Sequence, residues 1–157
     1  MTLDSNIIIA LLDKEESVVT EISRFQEMGF TFFLPIVTES EVLSYTKWTD
    51  VERSIVEKFL EENFTSIPFD RALARIVANM RWQTKIKTPD AIYPQARRKR
   101  RLTFIFFECR GYILKNFRKP AAFEYIIAAT ALLTRTPLIT RNLKDFKNIS
   151  GLHILTM

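Results

Sequence analysis

The sequence has few of the residues that form disulfide bonds or bind structural zinc: its 157 residues include one cysteine and one histidine. It also has only three glycines. A single cysteine excludes an internal disulfide framework, and no set of cysteines and histidines is present to hold a structural zinc ion. His153 is the only histidine, which argues against most imidazole-based catalysis. No apolar run approaches the roughly 20 residues that cross a bilayer. No basic segment precedes the first apolar run as in a signal peptide. We therefore expect a cytoplasmic protein that does not enter a membrane.

The length and the 47% hydrophobic content suit one globular domain over residues 1–157. The net charge of +5 is unevenly placed. Tyr93 to Phe123 holds nine bases and one acid, or +8, whereas the rest holds 14 bases and 17 acids, or −3. The basic stretch begins with Arg97-Arg98-Lys99-Arg100-Arg101 and continues with aromatic and aliphatic residues. Three interpretations stay open for it: a segment that packs back on the domain, an RNA-binding appendage, or a contact for a second copy or a partner protein.

Apolar periodicity predicts strands that alternate with helices, and hence an α/β fold with a mostly parallel sheet. Thr38 is predicted as an N-cap, with Glu41 completing a capping box. Asp50 is predicted to cap the next helix. The predicted strands cover 1–3, 30–37, 64–68, 137–140 and 152–155; the predicted helices cover 6–12, 16–28, 39–47, 50–63, 70–85, 124–134 and 143–146.

Polar side chains follow three of the predicted strands. Asp4 follows the first, Glu41 lies just after the second, and Asn142 comes shortly after Ile139. Sites in parallel sheets form at the carboxyl ends of the strands, so these side chains are expected to meet. Carboxylates held close together repel one another unless a cation is bound. Oxygen ligands without imidazole or thiolate favour Mg2+ or Mn2+.

Four short motifs carry a family resemblance when taken in order. They are Asp4-Ser5-Asn6; Thr38-Glu39-Ser40-Glu41-Val42; Lys87-Thr88-Pro89-Asp90-Ala91; and the run from Ile127-Ala128-Ala129-Thr130-Ala131 through Thr140-Arg141-Asn142 to Lys144-Asp145-Phe146. The sequence resembles the PIN-domain ribonucleases, and among them the VapC-type toxins of toxin–antitoxin pairs. The resemblance implies a three-layer α/β/α sandwich whose acidic pocket binds Mg2+ or Mn2+ and cleaves single-stranded RNA.

The resemblance implies that Asp4 is the first and Glu41 the second acid of the family's acidic pocket. Glu39 is off the expected spacing, which Glu41 matches, and is interpreted as an acid of the first helical turn. The fourth position is Asn142, which adds no negative charge, and Asp145 is a nearby carboxylate that could assist. Asn6 and Thr140 would support the acids by hydrogen bonding.

Two residues compete for the third acid. The residues just before Asp90, Lys87-Thr88-Pro89, match the family's third motif. The residues just after Glu124, up to Ile127-Ala128-Ala129-Thr130-Ala131, match the family's sequence after its third acid. Deleting Tyr93 to Ile126 restores an uninterrupted motif, Lys-Thr-Pro-Asp-Ala-Ile-Ile-Ala-Ala-Thr-Ala, in a chain of 123 residues. We infer an in-frame basic insert at about 93–126. The helix that carries Glu124 must pack into the core, so we expect Glu124 to take the pocket position, with Asp90 as a possible extra ligand.

The sequence thus predicts a metal-dependent endoribonuclease, the toxin of a toxin–antitoxin pair. Its predicted catalytic residues are Asp4, Glu41, Asp90, Glu124, Asn142 and Asp145, and the first four are the predicted metal ligands. The resemblance further implies a homodimer and a cognate antitoxin. The alternative is a PIN domain impaired in catalysis that still dimerises and binds its antitoxin, because the third motif is broken and Asn142 replaces an acid.

Overall fold

The computed structural model describes residues 1–83 and 121–157, and of residues 121 and 122 only the backbone. Asp90 and most of the predicted insert lie outside the described residues. In chain order the elements are β1 (Thr2–Leu3), α1 (Ser5–Leu12), α2 (Glu16–Glu27), β2 (Phe33–Pro35), α3 (Ile36–Leu43), α4 (Asp50–Asn63), β3 (Thr65–Ile67), α5 (Arg71–Gln83), α6 (Ala121–Thr134), β4 (Leu138–Ile139), α7 (Leu143–Phe146) and β5 (Ile154–Leu155).

The strands form one sheet in the order β3-β2-β1-β4-β5, and all four pairings are parallel. Thr2 pairs with both Phe33 and Leu138, so β1 is central. The long crossovers between parallel neighbours are supplied by the helices, as parallel pairing requires. The predicted α/β fold with a mostly parallel sheet is confirmed.

Two hydrophobic clusters cover the two faces of the sheet. One takes residues from α1, α2, α3 and α4, and the other from α5, α6 and α7. The neighbouring residues Ile139 and Leu138 of β4 belong to different clusters, as expected when successive strand side chains point to opposite faces. The result is the predicted three-layer arrangement of helices, sheet and helices.

The sequence predicts one apolar face for each of these helices: Leu73, Ile76, Val77 and Met80 in the helix at 70–85, and Val51, Ile55, Phe59 and Leu60 in the helix at 50–63. The structure confirms these faces in part. In α5, Leu73, Val77 and Met80 are buried as predicted. In α4, however, Val51 and Ile55 are 70% and 63% exposed. Val56 and Leu60 are the buried residues of α4. Periodicity identifies an apolar stripe, but which part of it is covered depends on how closely the neighbouring elements approach.

The predicted cap of the third helix is wrong. Helix α3 begins at Ile36, directly after β2, and Pro35 is its N-cap residue. Thr38 therefore lies inside the helix and is fully buried. The apolar run from Phe30 to Val37 hid this boundary, because periodicity alone does not separate a buried strand from the first turn of a buried helix.

The capping box occurs one helix later, at α4. Thr49, not the predicted Asp50, caps this helix: its hydroxyl accepts a hydrogen bond from the Glu52 amide, and the Glu52 carboxylate accepts one from the Thr49 amide. Within the described residues, no helix is long and apolar enough to span a membrane.

Candidate active site

Asp4 is a buried carboxylate at the carboxyl end of the central strand β1. It is 5% exposed. Its Oδ1 accepts hydrogen bonds from the amide and hydroxyl of Ser5, at 2.8 and 3.4 Å. Its Oδ2 accepts one from Asn6 Nδ2 at 2.7 Å and one from the Thr140 hydroxyl at 2.6 Å. Hydrogen bonds of this kind fix the orientation of a buried carboxylate.

Thr140 and Asn6 join the ends of β1 and β4 around Asp4. Asn6 Nδ2 also donates to Thr140 Oγ1 at 3.2 Å, and Asn6 Oδ1 accepts from the Arg141 amide at 3.2 Å. The Asn142 amide donates to Thr140 Oγ1 at 2.9 Å. Asn6 and Thr140 are the two residues predicted to support the first acid, Asp4, by hydrogen bonding. They hold the Asp4 carboxylate and the turn after β4 in one network.

Glu41 lies in α3, the helix that follows β2. Its side chain is largely exposed, yet partial burial of the carboxyl raises its pKa; a hydrogen bond from Ser5 lowers the pKa and the charge of Asp4 raises it. Since Ser5 also contacts Asp4, Ser5 lies between the first and second predicted acids. Glu39 lies in the first turn of α3, as predicted, and accepts a hydrogen bond from Ser66 at 2.9 Å, away from this cluster.

Glu124 lies in the first turn of α6 and is half-buried. Burial is the largest cause of its raised pKa; a hydrogen bond from its own backbone amide lowers the pKa, and the charges of Asp145, Glu41 and Asp4 raise it. Its Oε2 atom is buried and has no hydrogen-bond partner among the described residues. An unpaired buried oxygen of an acid is costly, and it is an available ligand position for a cation.

Asn142 and Asp145 form the rim of the site near the start of α7. The Asn142 side-chain amide donates to Asp145 Oδ2, and both residues are exposed. Asn142 precedes the first residue of α7 but its side chain caps no backbone amide. Asp145 contributes to the field at Glu124. The structure thus brings together five of the six residues predicted for the site, and the sixth, Asp90, lies outside the described residues.

The fit of these residues to a metal ion follows from their chemistry. Within residues 1–83 and 121–157, no group of three or more acids, histidines and cysteines is placed so as to hold a metal ion. The donors are nevertheless all carboxylates, two of them have raised pKa values, and Glu124 has an unpaired oxygen. A hard divalent cation is the group whose charge would favour the ionised form of both acids.

Two features of the site were missed by the sequence reasoning. The Arg141 guanidinium forms an ion pair with Glu15, which precedes α2. Arg141 belongs to the last motif, but no pattern in the sequence points to Glu15 as its partner. The second feature is Thr38, whose buried Oγ1 has no hydrogen-bond partner among the described residues and lies one turn before Glu41.

A model of the PIN domain matches residues 1–107, two thirds of the sequence. The chain belongs to the PIN-domain family. PIN domains are generally nucleases and typically use a divalent metal ion. In this PIN domain the matched segment contains Asp4, Glu41 and Asp90 and ends inside the predicted insert, so Glu124, Asn142 and Asp145 lie beyond it.

Solved structures with the same fold include three complexes. A toxin–antitoxin complex from Klebsiella pneumoniae has 21% identity and a TM-score of 0.61, with 99% of this chain and 95% of that chain covered. VapBC2 from Rickettsia felis, bound to a DNA fragment from its promoter, has 18% identity and a TM-score of 0.67, with 99% and 97% covered. FitAcB from Neisseria gonorrhoeae has 19% identity and a TM-score of 0.59, with 98% and 95% covered. No curated protein matches this PIN domain.

Proposed function

We propose that this PIN domain is a metal-dependent endoribonuclease, the toxin of a toxin–antitoxin pair, which hydrolyses phosphodiester bonds of single-stranded RNA. The observation that carries the proposal is the electrostatic interaction of Asp4, which follows β1, with Glu41 of α3 and Glu124 of α6. Each of the two glutamates has its pKa raised by burial and by the charge of Asp4. Repulsion between these carboxylates destabilises the fold when no cation is bound, and it is characteristic of a site that holds a cation.

The proposed metal is Mg2+ or Mn2+, held by Asp4, Glu41 and Glu124, with Asp90 as a further candidate ligand. When bound, such an ion activates a water molecule and neutralises charge on the phosphodiester during hydrolysis. The chain's own residues act around it. Thr140 and Asn6 orient the Asp4 carboxylate through hydrogen bonds of 2.6 and 2.7 Å. Asn142 and Asp145 form a hydrogen-bonded pair whose carboxylate acts on Glu124, and we assign them an assisting role.

The shared fold is the ground for proposing a partner protein. Three of the solved structures that share this fold are complexes of a toxin with its antitoxin or of a VapBC pair. A cognate antitoxin and a homodimer are therefore proposed for this chain, and the cytoplasm remains its predicted location. We expect an antitoxin to inhibit at the acidic site, because a partner segment of opposite charge would be attracted to it.

The alternative, a PIN domain that binds its antitoxin but no longer cleaves RNA, rests on Asn142 and on the broken third motif. It is not favoured, because Glu124 joins Asp4 and Glu41 in one electrostatic cluster in spite of the insert. Asp145, which hydrogen-bonds with Asn142, also contributes negative charge at Glu124.

A substrate panel tests the proposed function. The full-length protein is incubated with labelled single-stranded RNA, double-stranded RNA, single-stranded DNA and duplex DNA, in Mg2+, in Mn2+ and in EDTA. Cleavage of single-stranded RNA that requires the metal supports the proposal. Preferential cleavage of DNA would identify a deoxyribonuclease instead, and no cleavage of any substrate, with the fold intact by circular dichroism, would support the binding-only alternative.

A further inference from the structure

Arg141 is a cation placed at the rim of the acidic site. The residue before it, Thr140, donates a hydrogen bond to Asp4. The residue after it, Asn142, donates one to Asp145. The backbone amide of Arg141 itself is held by Asn6 Oδ1 at 3.2 Å. The backbone of Arg141 is therefore held at the site by its own amide and by the residues before and after it.

The guanidinium of Arg141 is engaged by Glu15, at the turn between α1 and α2. The pair links Arg141 Nη2 to Glu15 Oε1, and the two side chains are 35% and 45% exposed. Glu15 Oε1 also accepts a hydrogen bond from Ser17 at 3.1 Å. Exposed pairs of this kind contribute little to stability, because water and salt screen them. Exchanging this carboxylate for another anion would therefore cost little.

A polyanion entering this site needs such a cation. Asp4, Glu41, Glu124 and Asp145 make the pocket strongly acidic, and their field opposes the approach of a phosphodiester. A guanidinium matches the geometry of a phosphate with two parallel hydrogen bonds, as it matches a carboxylate. Glu15 and a phosphate are thus chemically equivalent partners for Arg141, and one excludes the other.

We propose that Arg141 binds the phosphodiester backbone of single-stranded RNA at the rim of the acidic site, and that Glu15 competes with the phosphate for the same guanidinium. The proposal rests on the proposed nuclease function for the identity of the ligand. It assigns Glu15 a restraining role: the carboxylate holds Arg141 ready in the free protein and lowers the affinity for RNA by the free energy of the ion pair.

The two members of the pair should change RNA affinity in opposite directions. Arg141→Gln removes one phosphate contact, so affinity is expected to fall about 3- to 10-fold and the slope of log Kd against log salt to decrease by about 0.7. Glu15→Gln frees the guanidinium, so affinity is expected to rise about 2- to 5-fold. If the ion pair is purely structural, both substitutions should lower the melting temperature alike and leave the affinity for RNA unchanged.

The chain offers a matched control in Arg24 and Glu21, an exposed ion pair of 2.9 Å within α2. Affinity is measured by fluorescence anisotropy of a labelled single-stranded RNA oligonucleotide in EDTA, for Arg141→Gln, Glu15→Gln, Arg24→Gln and Glu21→Gln in the full chain. All four variants keep the basic segment from 93 to 123, so a difference in RNA affinity between them does not come from that segment. Opposite shifts for Arg141→Gln and Glu15→Gln, with both control variants unchanged, are the expected result. Any other pattern overturns the proposal.

Cleavage by the wild-type protein in Mn2+ is measured in parallel, so that the two proposals fail separately. Opposite affinity shifts without cleavage would leave the phosphate site standing and overturn the nuclease. Metal-dependent cleavage with unchanged affinities would leave the nuclease standing and overturn the role of Arg141 and Glu15.

Discussion

The hydroxyl of Thr140 donates a buried hydrogen bond of 2.6 Å to Oδ2 of Asp4, and so joins the carboxyl ends of β4 and β1. The same oxygen of Asp4 accepts from Asn6. The same hydroxyl of Thr140 accepts from the Asn142 amide. One threonine therefore fixes both the central acid and the turn that carries Asn142, although the two residues lie 136 positions apart in the sequence.

Replacing Thr140 tests whether this hydrogen bond positions Asp4. Thr140→Val keeps the shape but removes the donor to Asp4, so we expect cleavage of single-stranded RNA to fall about 10- to 100-fold. Thr140→Ser retains the hydroxyl and should keep most of the activity. The measurement is kcat and KM at saturating Mn2+ for both variants, with melting temperatures as the check on folding. Equal losses in the two variants would contradict a positioning role and indicate a packing defect.

Glu124→Gln should stabilise the metal-free protein at neutral and alkaline pH. The pKa of Glu124 is raised above its ordinary 4.5, mainly by burial. The folded state therefore holds the proton more tightly than the unfolded state, and stability is lost as pH rises through the raised pKa. We expect Glu124→Gln to raise the melting temperature by roughly 1–3 °C at pH 8 in EDTA, and by nothing near pH 4.

The control for this prediction is Glu57→Gln, a substitution of an exposed acid of α4, which should leave the melting temperature unchanged at both pH values. A melting temperature of Glu124→Gln that is lower than the wild type at pH 8 would show that the ionised carboxylate is stabilising, against the prediction.

Metal affinity distinguishes the two candidates for the third acid. Glu124 shares an electrostatic field with Asp4, Glu41 and Asp145, whereas Asp90 lies outside the described residues. We expect Glu124→Gln to weaken Mn2+ binding at least about 10-fold, because even the loss of a group that only hydrogen-bonds to a ligand costs about that much, and Asp90→Asn to weaken it less. Calorimetric titration of the full-length variants provides the comparison. The reverse order would assign the pocket position to Asp90.

Deletion of Tyr93 to Ile126 tests the inferred insertion. The deletion joins Ile92 to Ile127, so Asp90 comes to lie three positions before Ile127, where Glu124 lies in the full chain. The shortened protein of 123 residues should fold and cleave single-stranded RNA at least as fast as the full chain. Asp90→Asn in the shortened protein should abolish that activity. A shortened protein that fails to fold, or folds and is inactive, would contradict the insertion.

Much of the fold follows from the sequence because its helices and strands differ in apolar period. The turn at Leu143 to Phe146 was predicted with the bounds that the structure gives it. The rule that strand ends of a parallel sheet share an edge predicts that Asp4, Glu41 and Asn142 lie near one another. In the structure Thr140 links Asp4 to Asn142, and Ser5 links Asp4 to Glu41. Local patterns decide such features, so they are visible in the sequence.

The failures have a common physical origin. The start of α3 was misplaced because Ile36 and Val37 are buried in either a strand or a helix. The exposure of Val51 and Ile55 depends on what packs over α4. The ion pair of Arg141 with Glu15 spans 126 positions. Each of these depends on contacts between distant segments, which no local pattern encodes.

We propose that Asp4 and the acids around it make this protein a metal-dependent ribonuclease, and the rate of single-stranded RNA cleavage against Mn2+ concentration tests this most directly. The wild-type protein is compared with Asp4→Asn, which keeps the shape of the side chain and removes its charge. We predict a rate that saturates with Mn2+, vanishes in EDTA and falls at least about 100-fold in Asp4→Asn. Equal rates for the two proteins at every Mn2+ concentration would contradict this proposal.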